Sequence, residues 1–294
     1  MSFLNYLING LSLGSVYAII ALGYTMVYGI AKMLNFAHGD IIMIGSYIVY
    51  TCMSMAGLHP AVSVLCAVAG CLLLGVVTER VAYRPLRGAS SSLAVLITAI
   101  GVSYLLQNIA LLTFGAEPKA FTTLIGWKGI SLFDGALMIR GTTIVTIGAS
   151  LLILVGLELF INYTKNGQAM LAVAQDKGAA TLMGIDVNKT IALTFAIGSS
   201  LAAVAGVLLC SAYPTITPYI GAMPGIKAFV AAVFGGIGSI PGAMIGGLVL
   251  GIVEILSRTY ISSQLADAIV FGILIVVLLV KPTGLLGKRV MEKV

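Results

Sequence analysis

Apolar residues in this chain run in blocks, at about residues 6–30, 39–57, 60–78, 91–114, 142–162, 190–212, 226–256 and 265–281. A helix needs roughly 20 consecutive apolar residues to cross a bilayer. The blocks therefore predict an all-α, polytopic membrane protein with about eight hydrophobic segments. One polar island, Lys165 to Lys189, separates the apolar runs Ile144–Ile161 and Ile191–Ala212. It is too polar to cross lipid but rich in alanine and leucine, which favour helix. The expected element is a helix from Gly167 to Gly184 lying at the membrane surface. Leu171, Ala174, Gly178 and Leu182 form one stripe, with Asp176 and Lys177 off it. Such a face suits docking of another protein. The domain reading is one transmembrane unit, residues 1–294, carrying a cytoplasmic coupling segment at 164–189.

Composition sharpens the class. Only 9% of the 294 residues are charged and 60% are hydrophobic, with a mean hydropathy of +1.10. Soluble domains carry roughly 25% charged residues, so a soluble fold is excluded. The net charge of +6 collects in short connections, where it reports topology rather than nucleic-acid binding. Cys52, Cys66, Cys71 and Cys210 lie in apolar runs without metal-site spacing and read as small core residues. The first cation is Lys32, and no cleavage site is evident, so the first apolar segment is expected to stay in place.

The cations also set orientation. Arg80, Arg84 and Arg87, then Lys165, Lys177 and Lys189, then Lys281, Lys288, Arg289 and Lys293 mark three cytoplasmic connections. The 115–141 stretch mixes Lys119, Lys128 and Arg140 with Glu117, Asp134 and Trp127, and is assigned outside. With the island and the C-terminus both inside, segment 226–256 has to begin and end outside. It therefore breaks into two legs at GGIGSIPG, through Gly235, Gly236, Gly238, Pro241 and Gly242. A break is tolerated there only where protein or water satisfies the backbone. The same count puts the N-terminus outside and leaves seven or nine crossings.

An internal echo accompanies that break. LNFAHGDIIMIGSY (Leu34–Tyr47) and PGIKAFVAAVFGGIGS (Pro224–Ser239) each follow a glycine-containing span with a weakly polar interruption. Paired broken segments in the two halves of a transporter often line its substrate path. Tyr24, Asn35, His38 and Lys227 are the candidate polar groups along such a path. Asp40, Glu158 and Glu254 are further ionisable residues near the breaks and helix ends; Lys227 could snorkel outward on its methylenes. His59, before Pro60, reads as a turn residue. The GxxxG pairs Gly10–Gly14, Gly242–Gly246 and Gly247–Gly251 read as packing faces, with 242–251 the candidate subunit or gate contact. The chain holds no Walker loop, HExxH or dinucleotide fingerprint, and no serine–histidine constellation, so catalysis is not expected of it.

Four ordered blocks carry a family resemblance. NGLSLGSVYAIIALGYTMVYGIAKMLNFAHGD (9–40), GQAMLAVAQDKGAATLMGIDVNK (167–189), PGIKAFVAAVFGGIGSIPGAMIGG (224–247) and KPTGLLG (281–287) resemble the LivH-type permease subunit of bacterial branched-chain amino-acid ABC transporters. The resemblance implies an ABC importer permease fold in the bacterial inner membrane. It also implies a division of labour. A periplasmic amino-acid-binding protein delivers solute; this chain and a second related permease form the path; two cytoplasmic ATPase subunits hold ATP and magnesium. No cofactor is expected in this chain itself. On that reading Gly167 and Gly184 bound the coupling helix, Ala172 and Ala180 permit close docking, and Gln175 and Asp176 make polar contacts to the ATPase. The alternatives are a permease for urea, short amides or another amino acid and, in a different class, a stand-alone secondary transporter.

Overall fold

The computed structural model describes residues 2–87, 92–122, 124–127, 129–132 and 137–287. Lys128, Asp134, Lys288, Arg289 and Lys293, used above for orientation, lie outside the described residues. The first element is α1 (Ser2–Ala31), followed by α2 (His38–Tyr50), which continues into a π turn at Thr51–Met55. Then come α3 (Pro60–Thr78), extended by a π turn at Glu79–Tyr83 and a short 3-10 turn, and α4 (Ser92–Phe114). His59 is the N-cap of α3, its Nδ1 accepting from the Ala61 N–H at 3.3 Å, as the turn reading required. Two-residue strands β1 (Lys119–Ala120) and a hairpin of β2 (Ile130–Leu132) with β3 (Leu137–Ile139) precede α5 (Gly141–Tyr163).

The polar island forms α6 (Lys165–Gln175) and α7 (Lys177–Leu182), and α8 (Val187–Ala212) follows. β4 (Thr215–Ile216) pairs antiparallel with β1. The segment expected to break does so, into α9 (Ala222–Gly235) and α10 (Ile240–Tyr260), and α11 (Ala266–Val280) completes the chain. Among the described residues, six helices are long and apolar enough to cross a membrane: α1, α3, α4, α5, α8 and α10. At 1.5 Å per residue the 14-residue α9 reaches only about 21 Å, short of a hydrocarbon core of about 30 Å.

The helix directions follow the sequence's parity argument. Gly29, near the end of α1, meets Gly238 in the α9–α10 break, while Tyr6 meets Tyr260 with ring centroids 6.0 Å apart. Helices α1 and α10 are thus antiparallel, and the N-terminus lies at the end opposite α6, α7 and Lys281. Their seam is made of glycines. An ideal Cβ on Gly251 would fall 2.1 Å from the Gly14 nitrogen, and one on Gly247 2.4 Å from that of Ala18. The GxxxG pairs therefore work inside this chain. Gly242 and Gly246 likewise abut Gly235 and Ala231 of α9, which corrects the expected subunit contact.

The centre of the bundle is α1 with α8, both largely buried, whereas α3, α4 and α5 keep most of their surface exposed. Cys71 and Cys210 are core residues; Cys66 is exposed on α3 instead, on a face apolar enough for lipid.

Candidate functional site

The two echoed breaks come together. The first turns of α2 and α9 touch backbone to backbone: an ideal Cβ on Gly39 would lie 2.6 Å from the Gly221 carbonyl oxygen, and one on Gly225 2.9 Å from the Gly39 Cα. From this junction the two half-helices diverge. The last turn of α2 reaches Tyr47, stacked on Phe114 at 4.2 Å, toward the end that holds the N-terminus; α9 runs to the break at the basic end. Three of the four predicted path residues gather here. The Tyr24 ring sits on His38 with centroids 4.6 Å apart, and on Phe229 at 5.9 Å. Asn35 accepts from the Tyr83 hydroxyl at 2.8 Å. Tyr24, Asn35, Phe229 and Ile237 line a small internal cavity.

Two polar atoms at the junction are buried without a hydrogen-bond partner, Asn35 Nδ2 and His38 Nε2. Buried orphan donors and acceptors are rare because each forfeits its bond to water. Asp40, one residue further, is buried too, and its Oδ1 accepts from Gln107 of α4 at 2.8 Å. The junction thus holds one buried carboxylate that has no ion-pair partner among the described residues.

Lys227 is elsewhere. It does not snorkel: its side chain is 4% exposed, and its ammonium bonds Glu254 and Asp267, each at 2.7 Å. Glu254, fully buried rather than at an interface, also accepts from Tyr17 at 2.8 Å and pairs with Arg258 at 2.5 Å. The cluster joins α1, α9, α10 and α11, with two cations balancing two carboxylates. Sequence reasoning missed Tyr17, Arg258 and Asp267. The available signal was that an intramembrane lysine and glutamate each require a partner.

The glycines of the α9–α10 break are held from behind by the tail. The amides of Leu285 and Leu286 donate to the carbonyls of Phe234 and Gly235 at 2.8 and 2.9 Å, capping the end of α9. Gly236 and Gly238 take φ of 107° and 93°, a region closed to most side chains. Ser239 then caps α10 by accepting from the Gly242 amide at 3.2 Å, with Pro241 in its first turn. Gly284 has φ 74°, and an ideal Cβ there would lie 2.6 Å from the Gly236 nitrogen. Gly284→Val is expected to release the tail, read as faster hydrogen exchange at Leu285 and Leu286.

The polar island differs from the single helix expected. Asp176 splits it, because its carboxylate accepts from the amides of Gly178 and Ala179 at 2.7 and 3.0 Å and starts a second helix. Gly184 does end that helix, at φ 82°. Gly167 instead sits inside the first turn of α6, where an ideal Cβ would fall 2.3 Å from the Phe160 carbonyl oxygen. It permits the sharp α5–α6 corner. Ala180 is buried against its own chain and offers no docking surface; Ala172 is half-buried and Gln175 exposed. Of the predicted stripe, Leu171 and Leu182 are exposed, joined by Met183 at 82%.

Two polar ties fasten this segment to the bundle. Lys177 donates to the last carbonyl of α1, that of Ala31, at 3.1 Å. A cation at a helix C-terminus also meets the negative end of its dipole. Partial burial, then the nearby Arg87 and Lys32 charges, lower the Lys177 pKa. Arg87 pairs with Glu79 of the α3 extension and donates to Asn188 in the first turn of α8 at 2.5 Å. Asp186 caps α8 through the Lys189 amide at 3.0 Å, a bond that holds its carboxyl below the usual range.

Comparison with known proteins accords with this arrangement. The family model for the permease component of branched-chain amino acid transport systems matches residues 6–279. The LivH permease protein of the high-affinity branched-chain amino acid transport system of Salmonella typhimurium is 47% identical, covering 99% of this chain and 98% of its own. BraD of Pseudomonas aeruginosa, a permease protein of the same description, is 48% identical over the same shares. A probable LivH of Methanocaldococcus jannaschii is 31% identical, over 92% and 88%. Among solved structures, PsaBC from Streptococcus pneumoniae in complex with Fab aligns over 96% of this chain and 93% of its own, at 15% identity and a TM-score of 0.47, too distant to bear on the site. This chain belongs to the family of branched-chain amino acid transport system permease components.

Proposed function

We propose that this chain is a membrane-spanning subunit of an ATP-driven importer that carries leucine, isoleucine and valine across the inner membrane. The observation that carries the coupling part of this reading is the construction of 165–182. It shows exposed Leu171, Leu182 and Met183 outward while Lys177 ties it to α1. An apolar, rigidly anchored face is what a force-transmitting contact requires. Two cytoplasmic ATPase subunits with ATP and magnesium, a second related permease and a periplasmic binding protein complete the assembly we envisage. ATPase closure would push on α6 and α7, and Lys177 would pass the movement to α1. That helix carries Tyr24 at the α2–α9 junction, so the path would open alternately to either side. Gln175 and the backbone around Gly184 would meet the ATPase, with Asp176 acting as the internal cap that shapes the surface.

Lys177→Met tests the strut. It keeps the methylene length and removes the bond to Ala31. A charge-assisted hydrogen bond is worth about 1.5–3 kcal/mol, so transport is expected to fall about tenfold or more while membrane insertion is unchanged. ATP hydrolysis by the assembled complex should persist, uncoupled from uptake. Full transport by this variant would sink the strut.

A further inference from the structure

A second cavity, of about 190 Å³, opens between α1, α5, α8 and α10 at the end of the bundle that holds the N-terminus, the end that the charge argument places outside. It has room for a small solute or a handful of waters at about 30 Å³ each. Its polar lining comprises Asn9 and Ser12 of α1 with Arg140, Thr142 and Thr143 at the start of α5. Leu13, Val16, Leu209 and Ile255 form an apolar wall. We propose that this cavity binds the zwitterionic head of an aliphatic amino acid on its way to the α2–α9 junction, with Arg140 and Thr143 as its carboxylate contacts. The proposal rests on the importer reading above and names an outer binding site for its solute.

Three independent features point to such a ligand. The start of α5 is uncapped: Arg140 occupies the N-cap position without a side-chain hydrogen bond to the helix. The positive end of a 23-residue helix therefore faces a site where an anion is favoured. Arg140 is exposed and has no ion-pair partner among the described residues. Its guanidinium presents the fork that matches a carboxylate. Thr143 is only 4% exposed, lines the cavity, and makes no side-chain hydrogen bond among the described residues, so its hydroxyl is available to an occupant.

The opposite wall supplies the complement. Helix α8 ends here, at Ala212 and the C-cap Tyr213, so its last carbonyls and the negative end of its dipole border the same space. An ammonium group suits that wall as a carboxylate suits α5. An aliphatic tail then lies along Leu13, Val16, Leu209 and Ile255. A second cavity sharing Arg140, Thr142 and Ala212 continues past Trp127, giving a route in from the surface. A purely anionic occupant, such as a lipid phosphate, would satisfy α5 and Arg140 but leave the α8 end unanswered.

The test uses the purified importer complex without its binding protein and measures radiolabelled leucine binding. We expect leucine to bind, 4-methylpentanoate and isoamylamine to compete at least tenfold more weakly, and glycerol 3-phosphate not to compete. Arg140→Gln should weaken leucine binding at least tenfold, and the isosteric Thr143→Val severalfold, with the complex assembled in both. Competition by glycerol 3-phosphate as strong as by leucine would identify a lipid-headgroup site and overturn the proposal. Unchanged leucine binding in Arg140→Gln would overturn it as well. If ATP-driven leucine uptake in proteoliposomes is normal in wild type and in Arg140→Gln alike, this site fails and the importer reading stands. Absence of uptake in wild type would strike the importer reading and this one with it.

Discussion

Replacing Glu254 by Gln is expected to cost about 3–5 kcal/mol of stability, because it leaves an excess of positive charge in the interior. Glu254 is fully buried and meets Tyr17, Lys227 and Arg258, of which only Arg258, 40% exposed, reaches solvent appreciably. Lys227 would keep Asp267, which is 40% exposed, and Arg258 would lose its partner. The measurement is the temperature or detergent concentration at which the purified complex loses assembly. Lys227→Met placed in the same chain restores the charge balance and should recover part of the loss. Removing both members of a buried pair is often far less harmful than removing one. An unchanged midpoint for Glu254→Gln would show that the cluster does not hold α1, α9, α10 and α11 together.

Gly251→Leu is the second large effect. An ideal Cβ at Gly251 already lies 2.1 and 2.2 Å from the nitrogen and Cα of Gly14, both backbone atoms that cannot swing aside. Overpacking costs about 1–3 kcal/mol where side chains can yield, and more is expected here because two helix axes must part. The variant should fail to accumulate as an assembled complex. Gly156 provides the contrast: it lies on exposed α5 with nothing within 4 Å of an ideal Cβ. Gly156→Ala should be neutral or stabilising, by up to about 1 kcal/mol from helix propensity. Equal tolerance at both positions would contradict the glycine seam.

Much of the fold is legible before the structure, since bilayer thickness imposes a length on every apolar block. Charge placement and parity predict the 235–242 break and an N-terminus at the end opposite the basic connections, and the structure has that break and that relative placement. The echo between Leu34–Tyr47 and Pro224–Ser239 anticipates two half-helices, though not that Gly39 and Gly221 touch. Pairings distant in sequence are where pattern fails. Nothing local to Lys227 reveals whether it reaches lipid headgroups or Glu254, 27 residues on, and Asp267. Likewise KPTGLLG reads as a loop after α11, while its amides cap α9. Asp176 was misplaced for a different reason: summed alanine and leucine propensity favours one helix, but a short carboxylate competing for two amides outweighs it locally.

The proposed function draws on side chains that come together only once folded. Tyr24, Asn35 and His38 were recognisable as candidates because polar residues beside a helix break are unusual. Lys177 gave no such signal, since a surface lysine in a cytoplasmic loop is ordinary. Its bond to the Ala31 carbonyl joins the 165–182 segment to the helix that carries Tyr24, the contact to which the proposed function gives a mechanical role.

The central claim is that solute movement through this chain is driven from α6 and α7. The most direct measurement is leucine accumulation in proteoliposomes holding the complete complex and its binding protein, with and without internal ATP, in wild type and in a Leu182→Asp/Met183→Asp variant. The account predicts ATP-dependent accumulation in wild type and none in the variant, with both complexes inserted equally. Leucine flux that is independent of ATP, or undiminished accumulation in the variant, would contradict it.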